Sequence, residues 1–207
     1  MLKLYIKTII VCVVGTLLSV IISVYLESST SQIGPLLQNY AVGLACSLVV
    51  VILTTLLQYL HEINRLTNEI MFNIKWIFLC RFLFVLSLCS NEERGVKLFY
   101  DEMDKEISEA TDKISQIDFF SKRKNHIYME LSKRLLSLRA EELKYINSPK
   151  EIIIEKIILC DEFSEIKKLV FSLTKDDSLK DSILEYCFKV DNEISLLNKN
   201  QEGEVTT

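Results

Sequence analysis

TIIVCVVGTLLSVIISVYL, residues 8–26, and YAVGLACSLVVVILTTLLQYL, residues 40–60, decide how the rest of this chain is read. The runs are nineteen and twenty-one residues long, and neither holds a charged side chain. A helix rising about 1.5 Å per residue needs about 20 apolar residues to cross the hydrocarbon core of a bilayer. Each run is long enough. Core helices of water-soluble domains seldom stay uncharged over such a length, so the pattern predicts two transmembrane helices. A cleaved signal peptide is the competing reading of the first run. Lys3 and Lys7 supply its basic start, but the apolar stretch exceeds the roughly 7–15 residues usual there. Its exit, Val24-Tyr25-Leu26-Glu27, offers no small-x-small cleavage site.

The flanking charges orient the pair. Segment 27–39 contains no Lys or Arg, whereas Lys3, Lys7, Arg65 and Lys75 border the other ends. By the positive-inside rule both termini are expected in the cytoplasm, with 27–39 as a short external loop. The expected organisation is then a transmembrane hairpin over 1–66, a juxtamembrane or re-entrant apolar helix over 67–90, a cytoplasmic helical domain over 91–200, and a disordered tail over 201–207.

Composition agrees with that segregation. The 207 residues are 49% hydrophobic with mean hydropathy +0.24, yet 25% are charged. From residue 91 onward there are 19 Lys and Arg against 25 Asp and Glu, a net charge of −6. An acidic half argues against a nucleic-acid binder held by bulk charge, though it leaves room for a local basic patch. The six cysteines, at 12, 46, 80, 89, 160 and 187, form no CxxC pair, and only His61 and His126 are available beside them. No metal site or disulfide framework is expected; small apolar side chains in a reducing compartment account for them.

Segment 76–89, WIFLCRFLFVLSLC, is apolar but short, with Lys75 before it and Arg81 inside. As a third span it would put Arg81 near the bilayer centre, at a cost of at least about 2.5–3.5 kcal/mol. It would also export the Lys-rich C-terminal half. A juxtamembrane helix, at the inner membrane surface or packed under the hairpin, is therefore expected, with Trp76 and Lys75 at headgroup level.

Beyond residue 90 the pattern is that of amphipathic helices. Val96, Tyr100, Met103, Ile107, Ala110, Ile114 and Ile117 are spaced 4-3-4-3-4-3, a heptad seam suited to pairing with another subunit or with the next helix of the same chain. We expect self-association through it, as a coiled coil. Segment 118–125 breaks the pattern, and a helix follows over about 126–146 with Ile127, Leu131, Leu135 and Leu138 on one face. Ser148-Pro149-Lys150-Glu151 reads as a capping box that starts a third helix extending to about Leu173. Asp176-Asp177-Ser178 then caps a fourth, whose inner face holds Leu179, Ile183, Cys187, Val190, Ile194 and Leu197. The fold class is thus an all-α membrane protein: transmembrane hairpin, juxtamembrane helix and cytoplasmic helical bundle.

No Walker loop, GxGxxG, HExxH or GxSxG occurs. Carboxylates are numerous but lie where solvated helix faces are expected. The chain is read as a non-enzyme, with no catalytic residues and no cofactor. Two other constellations carry functional readings. In the first span Thr8, Cys12, Gly15, Thr16, Ser19 and Ser23 share one face; in the second Gly43, Ser47, Thr54 and Gln58 do, continued by His61, Glu62 and Arg65. Small residues let membrane helices pack closely, which is the ordinary explanation. The sharper one makes Ser19, Ser23, Ser47, Thr54, Gln58, His61 and Glu62 the lining of an oligomeric pore. The second constellation is basic. Between Phe119 and Lys144 there are seven Lys and Arg against three Asp and Glu. A solvated turn or attraction to anionic lipid explains it plainly, at about 1 kcal/mol per basic residue. As an anionic-ligand site, Lys122, Arg123, Lys124, Lys133 and Arg134 would hold phosphates while Phe119 or Phe120 stacks on a base.

This layout of two N-terminal spans and a helical cytoplasmic domain resembles the small two-transmembrane effectors of bacterial anti-phage defence, in particular the membrane-channel effector of the Hailong type. The likeness is one of architecture and size, and no family residue is carried over from it. It implies a pore-forming effector of the bacterial inner (plasma) membrane, gated through its cytoplasmic domain by a nucleotide or oligonucleotide. The expected partners are the lipid bilayer, further copies of the chain, and that ligand or a cytosolic protein. A non-conducting anchor or scaffold that recruits a cytosolic partner is the alternative.

Overall fold

Residues 2–27, 34–117, 119 and 121–204 are described by a computed structural model. Among them every regular element is helical: α1 (Leu2–Glu27), α2 (Gly34–Cys89), α3 (Glu93–Gln116), α4 (Lys122–Tyr145), α5 (Lys150–Ile153), a π-helical turn (Ile154–Ile158), α6 (Asp161–Leu173) and α7 (Asp177–Glu204). The chain divides into two compact units, Met1–Arg65 and Leu66–Thr207.

The first unit holds α1 and the beginning of α2. Both helices have the length and apolarity to cross a bilayer, and only 11% of each most apolar window is buried inside the structure. A core helix of a water-soluble protein is instead mostly buried, whereas many Val, Leu and Ile side chains of these two helices are exposed. Within the external loop expected over 27–39, residues 28–33 lie outside the described residues, and α2 already begins at Gly34.

The second unit is a helical bundle, and here the structure corrects the boundary drawn at residue 90. Segment 76–89 is neither a separate helix nor a surface element. It is the end of the continuous α2, and Ile74, Ile77, Phe78, Cys80, Phe84, Val85 and Leu88 are all buried. An apolar run of this length satisfies lipid and a protein core equally well, so periodicity alone does not separate them. Trp76 points outward, stacked on exposed Phe72 at 6.3 Å.

Arg81 explains how a charge sits in that run. Its guanidinium donates twice to the Ile158 carbonyl, from Nε at 3.1 Å and from the adjacent Nη2. It also lies 4.2 Å over the Phe163 ring. The helix expected to run from 150 to 173 is interrupted at that carbonyl. The π-helical turn closes at Ile158, Leu159 and Cys160 leave helical geometry, and α6 restarts at Asp161. In an uninterrupted α-helix the Ile158 carbonyl would be committed four residues ahead; the break frees it for Arg81. Asp161 and Glu162 then place negative charge at the positive end of α6.

The heptad seam is real in period but not in partner. Met103, Ile107, Ala110 and Ile114 are 0–2% exposed within the chain's own core, with Tyr128, Leu131, Leu135 and Leu138 of α4 in the same cluster. The expected coiled coil with another subunit therefore has no free seam on α3 over those residues. An ion pair and a hydrogen bond fix the register: Arg139 of α4 grips Asp104 of α3 at 2.6 and 3.0 Å, and the Lys113 ammonium donates to the Asn73 side-chain Oδ1 at 3.1 Å. A second cluster gathers Phe84, Val85, Leu88, Ile153, Ile157, Ile158, Val190 and Ile194.

Capping differs in detail from the sequence reading. Pro149 precedes α5, and its carbonyl accepts from the Ile152 and Ile153 N–H groups; the Glu151 side chain lies outside the described set. Within Asp176-Asp177-Ser178 it is Asp176 that caps α7, its Oδ1 accepting from the Leu179 N–H at 3.3 Å. α7 extends to Glu204, four residues into the segment expected as a tail, and 205–207 lie outside the described residues.

Candidate functional sites: the polar faces of the spans and the basic turn

The hairpin uses its two polar faces in opposite ways. On α1 the small polar face turns inward: Cys12 and Ser19 are buried, and a Cβ on Gly15 would sit 3.1 Å from Leu48 Cδ1 of α2. The hydroxyls need no partner across the interface. Thr16 donates to the Cys12 carbonyl at 2.8 Å and Ser19 to the Gly15 carbonyl at 2.9 Å. Ser19, offered as pore lining, is thus occupied in helix packing, and Ser23 is half-buried.

On α2 the packing face is Ala45, Leu48, Thr55, Tyr59 and Ile63, at steps of three to four, or seven where one turn is skipped; all but half-buried Leu48 are buried. Gly43, Ser47, Thr54, Gln58 and His61 fall on the opposite side by the 100° per residue of the helix, and all five are exposed. Ser47 donates to the Gly43 carbonyl at 2.9 Å, and Thr54 to Val50 and Val51 at 3.0 and 3.1 Å. Below them Glu62 is bound by Arg65 at 2.6 and 3.0 Å, and that guanidinium holds its carboxyl below the usual carboxylate range. The structure therefore brings Ser47, Thr54, Gln58 and His61 together on one outward stripe and leaves Ser19 out of it.

This division predicts a labelling pattern. A thiol reagent that partitions into lipid should modify exposed Cys46 well ahead of buried Cys12. Gly15→Leu, which drives a branched side chain into Leu48, should raise Cys12 modification severalfold and leave Cys46 unchanged, as read by mass shift.

The basic turn is less open than its composition suggests. α4 begins at Lys122, so Lys122, Arg123 and Lys124 occupy its first turn with no acidic residue there. Cations at this end oppose the helix dipole, and an anion would relieve that opposition. All three are exposed, as is Lys133. Arg134, by contrast, is held by Glu130 at 3.0 Å and by Glu162 at 3.3 Å. Phe119 packs on Tyr128 with ring centroids 5.2 Å apart, under Lys124 at 5.6 Å. The Asn125 side chain closes the turn against both backbone groups of Phe119. Phe120 lies outside the described residues.

Sequence reasoning missed Glu142. It is 0% exposed, and neither carboxyl oxygen has a hydrogen-bond partner. Burial, with Asp104 nearby, pushes its carboxyl up to about 8, while Arg139 works in the opposite direction. The signal was present: Leu131, Leu135, Leu138 and Glu142 continue one core-facing series at steps of four and three.

Comparison with protein-family models, with curated proteins and with solved structures finds no match to this chain.

Proposed function

We propose that the chain is an oligomeric channel or pore-forming effector of the bacterial inner membrane, with both termini cytoplasmic, whose helical bundle controls the spans. One observation carries the reading: α2 presents Ser47, Thr54, Gln58 and His61 outward while the hairpin is already packed through its other face. In lipid, Gln58 would be exposed to an apolar solvent, whereas in a ring of copies the same stripe can line a water-filled path with His61 at its cytoplasmic mouth. A single hairpin cannot enclose such a path, so the reading requires several copies. The exposed Lys122, Arg123, Lys124 and Lys133 supply the surface for an anionic ligand, for which a nucleotide or oligonucleotide in anti-phage defence is the proposed class by likeness of layout. Arg134 and Phe119 contribute less than the composition suggests, because both are engaged within the bundle.

The alternative, a non-conducting anchor that recruits a cytosolic protein, draws on a different observation. Ser47 and Thr54 satisfy their hydroxyls on their own backbone and so tolerate lipid without a partner. Ion flux separates the two. Purified protein in liposomes should release a trapped ion, with or without added oligonucleotide, and Gln58→Leu with Thr54→Leu should cut that flux by tenfold or more without loss of reconstituted protein. Vesicles that stay tight under every condition remove the channel reading and favour the anchor.

A further inference from the structure

With the α3 seam used inside the bundle, a second apolar column remains on α4. Met129, Leu136 and Leu143 are 63%, 49% and 60% exposed. Their seven-residue spacing puts them in one line along the helix. Lys133 and Ala140, both exposed, fill the places between. Glu130 and Lys144 lie on the same flank of that line, near its two ends, by the 100° per residue of the helix.

The geometry points to α4 as a self-pairing face, on which two copies of the chain meet antiparallel about Leu136. Charge decides the partner and its direction. In an antiparallel pair Met129 meets Leu143 of the second copy. Glu130 and Lys144 of the two copies then lie on one flank, offset by about 3 Å along the axis. Two such ion pairs form, one at each end, as an isologous contact requires. Lys133 falls opposite Ala140, whose small side chain leaves it room. A parallel pair would set Lys133 against Lys133 and Arg139 near Lys144, with like charges facing. Glu130 has capacity for the contact: Arg134 uses only its Oε1 and is also held by Glu162. Lys144 is exposed, its ammonium 4.7 Å over the Tyr145 ring. A stripe of three large side chains is small for a free association, but copies confined to one membrane meet at high effective concentration. The pairing deepens the oligomeric reading above and rests on it for that setting.

Cysteines added one at a time to the full chain, reconstituted in liposomes and oxidised with copper phenanthroline, test it, with wild type oxidised alongside to give the background of the six native cysteines. Leu136→Cys should cross-link to itself. Met129→Cys and Leu143→Cys should cross-link with each other when mixed and little when alone. Glu130→Lys should reduce the Leu136→Cys product severalfold, and adding Lys144→Glu should restore it. Equal self-linking at all three positions, or none at 136, overturns the pairing. Flux is read on the same vesicles. Flux without the link overturns the α4 contact and keeps the channel, whereas the link without flux keeps the contact and removes the channel.

Discussion

Glu142→Gln should make the protein more stable, and increasingly so as pH rises. The wild-type carboxyl is 0% exposed without a hydrogen-bond partner, and its folded value stands at about 8 against an ordinary 4.5. Between those values the folded chain holds a proton that the unfolded chain has released, so stability falls with rising pH across about 4.5 to 8 and levels off above. At about 1.36 kcal/mol per unit, the full effect is on the order of 5 kcal/mol. Gln keeps the shape and remains neutral. Variant and wild type should therefore melt alike near pH 4, where the carboxyl is largely protonated in both folded and unfolded chains. They should diverge through pH 7 and differ by several degrees at pH 9. Asp104 and Arg139, the charged neighbours, are common to both proteins, so the difference isolates Glu142. Thermal denaturation of the full chain in detergent at the three pH values reads it. A constant gap at all pH values would contradict the burial of an ionisable group at this position.

Arg81→Ala should be among the most damaging substitutions in the bundle. It removes a charged donor from the Ile158 carbonyl, worth about 1.5–3 kcal/mol, and the contact over Phe163, worth about 0.5–2 kcal/mol. It also leaves an empty volume among Phe163, Cys160 and Cys187. The summed loss is about 3 kcal/mol or more. Arg81→Lys should recover little, since an ammonium cannot both reach the carbonyl with two donors and lie flat on a ring. Chemical denaturation of the full chain, with helix content as the signal, should show the midpoint fall for both variants. Hydrogen exchange should place the first loss of protection at the π-helical turn and the start of α6.

The two long apolar helices at the N-terminus were legible because uncharged apolar runs of nineteen or more residues are too long for strands. The inner faces of α3, α4 and α7 were also legible, because Met103, Ile107, Leu131, Leu135, Ile183 and Val190 keep helical period and are all buried. What remained hidden was partnership. The period of 96–117 says that one face must be covered, and it says the same whether the cover is another copy or α4 of the same chain. The run 76–89 is apolar enough for lipid or for a core. Arg81 was its distinguishing residue, but its acceptor lies 77 positions away and exists only because the third helix breaks. Among the candidate sites, composition grouped Ser19 with Ser47 and Arg134 with Lys133. Ser19 lies on the packed face of α1 and Ser47 on the outward face of α2, while the carboxylates of Glu130 and Glu162 hold Arg134 and leave Lys133 exposed.

The central claim is that α1 and the beginning of α2 reside in a bilayer. Extraction of membranes from expressing cells with alkaline carbonate tests it most directly. The full chain should stay wholly in the pellet through washing at high pH and be released only by detergent. Recovery of the chain in the carbonate supernatant would contradict the account.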